Sequence, residues 1–125
     1  MGKFIVRTVK TGIMFNLKAG NGETIATSEI YTTEAACLKG IASVVKNAPI
    51  APVENQTVDG FTPEKCPKFE IYKDKAGEFR FRLKARNGEI IACSEGYVKK
   101  DSCKNGIESV KKNAPEAEVS EAEAE

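Results

Sequence analysis

Four cations alternate along one stretch of the chain: Arg80, Arg82, Lys84 and Arg86. Residues two apart on an extended strand project to the same face, so this stripe gathers three or four positive charges. Lys73 and Lys75 stand nearby, and Tyr72 adds an aromatic ring. Such a face suits a phosphate backbone, with Tyr72 as a surface on which a base can stack. The alternative is a solvated sheet face, with Arg80 and Arg82 paired across strands to Glu70, Glu78 or Glu95. Charge runs are more often of this second kind.

Other candidates come in pairs. Glu29 and Glu95 each stand in a Ser-Glu-x-Tyr tetrapeptide completed by Tyr31 and Tyr97. Two carboxylates brought together can serve as acid and base. No nucleophile or tuned partner accompanies them, so the expectation is a structural role, accepting hydrogen bonds near a helix start. A tyrosine at such a junction packs its ring and anchors its hydroxyl; ligand contact is the alternative. Cys37, Cys66, Cys93 and Cys103 form no CxxC pair, and the chain has no histidine. Zinc and iron–sulfur sites need clustered thiolates or imidazoles, so no metal or cofactor is expected. A catalytic thiol would need a base, and no enzyme is expected. Asn21-Gly22 and Asn87-Gly88 are turn chemistry, since a lone glycine builds no phosphate cradle.

A duplicated unit positions all of these residues. Lys3-Phe4 to Pro49 lies over Lys68-Phe69 to Pro115, at a shift of 65 that becomes 66 after one inserted residue near Glu78. The copies share roughly half their positions, far above chance at this length. FNLKAGNGETIATSE (15–29) lies over FRLKARNGEIIACSE (81–95), and Lys-Asn-Ala-Pro closes both units.

Each copy opens with alternating residues, Phe4, Val6 and Thr8 in the first, that predict a half-buried strand. A turn leads to a second strand, with Ile13, Phe15 and Leu17, or Phe79, Phe81 and Leu83, facing inward. The Asn-Gly pairs, both residues tolerating positive φ, predict hairpins into a third strand through Ile25 or Ile91. A two-residue turn would pair Leu83 with Ala92, and a three-residue turn with a glycine bulge would pair it with Ile91. Burial of Ile25 and Ile91 favours the bulge. Cys37, Ile41, Val44 and Ala48, like Cys103, Ile107, Val110 and Ala114, mark the apolar stripe of a helix. Thr32 or Thr33 can cap the first helix, and Asp101 suits the positive end of the second. Gly40 and Gly106 inside these helices, at about 1 kcal/mol each relative to alanine, point to close contact with the sheet. Residues 51–58 and 116–120 are candidates for a fourth strand.

The organisation expected is a first repeat over 1–58, a linker over 59–67, a second repeat over 68–120 and a disordered acidic tail over 121–125. With 125 residues and 41% hydrophobic content, the two repeats make one compact domain around one core. No apolar run approaches the roughly 20 residues that cross a bilayer. The N-terminal residues lack the apolar segment of a signal peptide, and Val6 stands where a myristoylation motif wants Ser or Thr. A cytoplasmic protein with free thiols is the expectation. Five glutamates from Glu116 onward carry the acidity of the C-terminus; without them the net charge goes from +1 to +6. A basic body with an acidic tail raises the question of nucleic acid, and serves solubility equally well.

The second copy, FRFRLKARNGEIIACSEGY followed by Cys103, Gly106-Ile107 and Ser109-Val110-Lys111, resembles the YegP-like family of small bacterial proteins. The resemblance spans both repeats. It implies an α+β fold in which two βββαβ units, in tandem or in two subunits, share one pseudo-twofold, antiparallel-rich sheet. It further implies two helices packed on that sheet and last strands exchanged between units. The family brings no established activity. The first copy departs from the pattern: Met14, Asn16, Gly20 and Ile30 stand for Arg80, Arg82, Arg86 and Gly96. The functional expectation is a non-catalytic binding or interaction module with a protein or nucleic-acid partner and no membrane. The alternative is a nucleic-acid-binding protein using the basic strand, with the acidic tail as competitor. Fused repeats that satisfy each other's edges predict a monomer.

Overall fold

The alternation read in each copy becomes strand. In the computed structural model, which describes residues 2–121, β1 (Lys3–Val9) pairs antiparallel with β2 (Gly12–Lys18). β3 (Thr24–Thr27), helix α1 (Glu34–Asn47) and β4 (Val53–Asn55) complete the first copy. The second follows the same order: β5 (Lys68–Lys73), β6 (Phe79–Lys84), β7 (Ile90–Cys93), α2 (Lys100–Asn113) and β8 (Glu118–Glu121).

Among the described residues one mixed sheet runs β4-β5-β6-β7-β3-β2-β1-β8. β4 lies parallel to β5 of the second copy, and β8 parallel to β1 of the first. Each copy thus gives its last strand to the other. The halves meet where Thr27 pairs with Cys93 in the antiparallel β3–β7 junction. This is the α+β arrangement of two βββαβ repeats that the resemblance implies. Glu121, expected in a tail, instead closes β8, because Val6 of β1 offers it a pairing partner. The rest of that tail, 122–125, lies outside the described residues.

Both helices cover one face of the sheet. Phe4, Phe15, Phe69 and Phe81 are fully buried there, with Leu17, Leu83, Ile71, Val44, Ile107 and Val110. Each such side chain contributes about 1.5–3 kcal/mol by leaving water. Thr33 caps α1, its Oγ1 accepting from the Ala36 amide at 3.1 Å, whereas the N-cap of α2, Lys99, makes no side-chain bond. The helical glycines have a clear cause. A Cβ at Gly40 would strike the Tyr31 hydroxyl, and one at Gly106 would lie 2.6 Å from the Tyr97 hydroxyl and 3.0 Å from the Phe81 ring.

The hairpins combine both registers considered from sequence. The Ala85 amide donates to Glu89 at 2.9 Å and the Gly88 amide to Ala85 at 2.9 Å, which makes a three-residue turn closed by Gly88 at φ +84°. Only the glycine takes positive φ. Asn87 keeps ordinary backbone geometry, and its Oδ1 accepts from the Glu89 amide at 3.0 Å. Lys84 then pairs with Ile90, but a second irregularity between Leu83 and Lys84 brings Leu83 opposite Ala92, not Ile91. A bulge turns two successive residues toward one face, so Ile91 and Ala92 are both buried. The first copy does the same with Leu17, Ala26 and Gly22.

Candidate functional site

Arg80, Arg82 and Lys84 alternate on β6 and share the helix-free face, opposite buried Phe81 and Leu83. They do not stand there as free cations. Arg82 Nε lies 2.6 Å from Glu70 Oε1, and Lys84 Nζ lies 3.2 Å from the same oxygen. Lys68 Nζ bridges Glu70 Oε2 at 3.1 Å and Glu54 Oε1 at 2.8 Å. Arg80 Nε meets Asp74 Oδ2 at 2.6 Å, and its Nη1 donates to the Ser94 carbonyl at 3.2 Å. Tyr72 carries the Arg82 guanidinium over its ring at 4.5 Å. Of the three cross-strand acceptors expected for these arginines, Glu70 serves Arg82; Arg80 takes Asp74, from the turn before its own strand.

Glu54 and Glu70, at 3% and 2% exposure, are the buried charges of this face. Burial pushes the Glu54 carboxyl up, but hydrogen bonds from Lys68, Gln56 and the Glu64 amide outweigh it and hold the group at about 2. Glu70 is likewise opposed by burial and pulled below the ordinary carboxylate value by Arg82, Lys68 and Lys84. Glu54 belongs to β4, so the network fastens the exchanged strand of the first copy to the second. At the corresponding positions of the other half of the sheet stand neutral Ile5 and Asn16 of the first copy and Ser120 of the exchanged β8, paired in the same register.

Arg86 leaves the stripe. It sits in the β6–β7 turn, which faces α1, and joins Lys39 and Lys46 around a groove of about 360 Å³. Lys39, Ala42, Ser43 and Lys46 recur at helical spacing along one side of α1, and Ala85, Arg86 and Asn87 form the opposite wall. None of the three cations belongs to an ion pair among the described residues. Lys39, Ser43, Lys46 and Asn47 were not singled out from sequence.

Glu29 and Glu95 are exposed and open into two separate, pseudo-equivalent clefts. One joins Glu29 and Tyr31 to Glu89, and the other joins Glu95 and Tyr97 to Glu23. Neither glutamate caps a helix as expected, since Thr33 takes that place in α1. The structural member of each Ser-Glu dipeptide is the serine. Ser28 Oγ accepts from the Phe15 amide at 2.9 Å and donates to the Glu29 carbonyl at 2.7 Å; Ser94 does likewise with Phe81 and Glu95 at 2.9 and 2.8 Å. Tyr31 and Tyr97 stack on Phe15 and Phe81, and burial raises both hydroxyls, with Cys37 and Glu29 or Cys103 and Glu95 adding to the shift. Cys37 and Cys103 are buried, and burial pushes the Cys103 thiol up to about 11. All four cysteines are free. Among the described residues no cluster could hold a metal ion, and no helix is long and apolar enough to cross a membrane.

The model of the family described as "Domain of unknown function (DUF1508)" matches this chain twice, over residues 10–55 and 74–121, one match to each repeat. A UPF0339 protein of Photorhabdus laumondii is 43% identical over 113 residues, covering 90% of this chain and 86% of its own. Another, from the ptx operon 5' region of Stutzerimonas stutzeri, is 73% identical over 48 residues; the match spans 38% of this chain and 43% of that relative. The solution structure of yegP from E. coli, a protein of unknown function, superposes with a TM-score of 0.78 at 38% identity, covering 96% of this chain and 91% of that one. With both repeats matched and relatives aligned almost end to end, the chain belongs to the DUF1508, YegP-like family.

Proposed function

We propose that this protein is a non-catalytic binding module that engages an anionic partner through the groove between α1 and the β6–β7 turn. One contrast in the use of charge carries this reading. Arg80, Arg82 and Lys84 are engaged by Asp74 and Glu70, whereas Lys39, Lys46 and Arg86 converge on a groove without a carboxylate in its wall. Buried high-pKa thiols and glutamates held in separate clefts support the non-catalytic part. Free cysteines and mutual strand exchange are consistent with a cytoplasmic monomer, for which light scattering should give a mass near 13.6 kDa.

The test is a titration with inorganic polyphosphate at low and physiological salt. Binding should weaken with salt and fall in K39N/R86G, whose new residues already stand at the matching positions Asn105 and Gly20 of the other copy. It should persist in R80M/R82M. The nucleic-acid alternative, which uses the strand stripe, requires the reverse ranking, and that result would overturn the groove reading.

A further inference from the structure

β8 leaves one edge of the sheet open. It is the outermost strand, it pairs only with β1 among the described residues, and all four of its residues are exposed. An edge strand turns every second N–H and C=O outward, ready to bond another extended chain. β4, at the other edge, is defended. Pro52 before it carries no amide hydrogen, and the segment after it turns back so that Gln56 Nε2 and the Glu64 amide each donate to Glu54 at 2.7 Å. Glu118 stands at the position of Pro52, and β8 holds neither proline nor lysine.

The flanks of the two edges differ as well. Pairing with Lys3 to Val6 puts Glu118 and Ser120 on the helix-free face and Val119 and Glu121 on the helix side. Beside β4, Val53 and Lys104 of α2 line a groove of about 350 Å³, and Lys111 Nζ reaches over the Phe69 ring at 5.8 Å. In the half that ends in β8, Val119, Leu38 and Val45 hold the matching positions, with Val119 49% and Leu38 43% exposed. The helix flank is thus cationic at one edge and apolar at the other. Carboxylates complete the β8 edge. Glu34 of α1 lies within hydrogen-bonding reach of Glu121, and that bond and the Glu121 charge push the Glu34 carboxyl up. None of Glu34, Glu118 and Glu121 belongs to an ion pair among the described residues.

We propose that β8 is a docking strand for an extended segment of a partner protein that carries cations around apolar residues. The segment adds a further strand to the sheet, its backbone bonding the open edge of β8. Opposite Val119 it places an apolar side chain against Leu38. Opposite Glu118 and Glu121 it places cations, the second also facing Glu34. A second copy of β8 is a poor occupant: Glu118-Val119-Ser120-Glu121 paired with itself in register, parallel or antiparallel, sets glutamate opposite glutamate. The cationic groove beside α1 is a separate surface, and its charge repels such a segment.

The experiment is an amide-detected NMR titration of the full chain with three short synthetic peptides. The first has the core Lys-Val-Val-Lys, which reads alike in either strand direction. The second has glutamate for both lysines, and the third has proline for both valines. The first peptide should shift residues 34–38 and 118–121 and leave 85–87 unmoved. The other two should bind about tenfold more weakly or less still, one through its reversed charge and the other through its missing strand amides. Glu121→Lys should weaken the lysine peptide by a similar factor and strengthen the glutamate peptide, with the spectrum elsewhere unchanged. No shift at 118–121 with the lysine peptide would overturn the docking strand. Equal binding by either control peptide, or lysine-peptide binding undiminished in Glu121→Lys, would overturn it too.

Discussion

The two copies agree under the helices and disagree on the other side of the same strands. Beneath α1 and α2 the copies match: Phe4 and Phe69, Phe15 and Phe81, Ser28 and Ser94, Tyr31 over Gly40 and Tyr97 over Gly106. On the helix-free face, Ile5 and Asn16 of the first copy with Ser120 of the exchanged β8 stand where the other half of the sheet has Glu70 and Arg82 of the second copy with Glu54 of the exchanged β4. The first face is held without a carboxylate, Arg7 Nε donating to Asn16 Oδ1 at 2.8 Å and Asn16 Nδ2 to Thr27 Oγ1 at 3.0 Å. The difference reflects what each side must satisfy. A helix packed on a sheet accepts few shapes, so the covered face tolerates little change. An uncovered face requires only that its own polar groups find each other, which a set with carboxylates and a set without them both achieve.

The sharpest test of the agreement is truncation of the equivalent phenylalanines. Phe15→Ala and Phe81→Ala should each lower stability by about 3–5 kcal/mol in denaturant unfolding, and by similar amounts. A strong imbalance would mean that the two halves do not share one packing scheme. The disagreement is tested next. Lys68→Met strips the buried Glu54 carboxylate of its cation and should cost about 3 kcal/mol. Lys3→Met, at the exposed equivalent position, should stay within about 0.5 kcal/mol.

Acid should act on the charged half first. Glu54 is held at about 2 in the folded protein, against an ordinary 4.5. A lowered folded-state pKa contributes stability above the unfolded value and loses it as the pH falls from about 4.5 through 2. Over that window a hydrogen-exchange probe in β4 should lose protection before one in β8, whose partner face has no buried carboxylate; simultaneous loss would contradict the contrast. The smallest effects concern the turns. Gly22→Ala and Gly88→Ala force alanine to φ +86° and +84°, and each should cost about 1 kcal/mol by thermal melting, equally in both copies.

Much of the fold was legible because its signals are local. The Asn-Gly turns, the helical stripes from Cys37 to Val44 and Cys103 to Val110, and the need for glycine at 40 and 106 all follow from short spacings. The hairpin register was harder, since the second bulge depends on burying Ile91 and Ala92 together, a tertiary demand. The strand exchange came through the resemblance, as no local pattern in residues 51–58 or 116–120 names a partner. The site was legible only in part. The alternation of Arg80, Arg82 and Lys84 was legible, as was Glu70 as a cross-strand partner, but Arg80 takes Asp74 from the turn, and Glu54 of β4 joins the network through Lys68, which only the folded sheet assembles. Lys39 and Arg86 lie 47 positions apart and meet because α1 packs across to the hairpin of the other copy. The repeated Ser-Glu dipeptide was a missed signal: what both copies use there is the serine, which secures the backbone of β2 and β6.

The exchanged strands give the chain the logic of a handshake. Each half holds an outermost strand of the other, so a single backbone cut near Gly60, between β4 and β5, would leave two fragments clasped through β4 with β5 and β8 with β1 as well as through the β3–β7 seam. The peptide link between the halves sets their stoichiometry at one to one, and it lets each copy change its outer face without having to remain compatible with an identical twin.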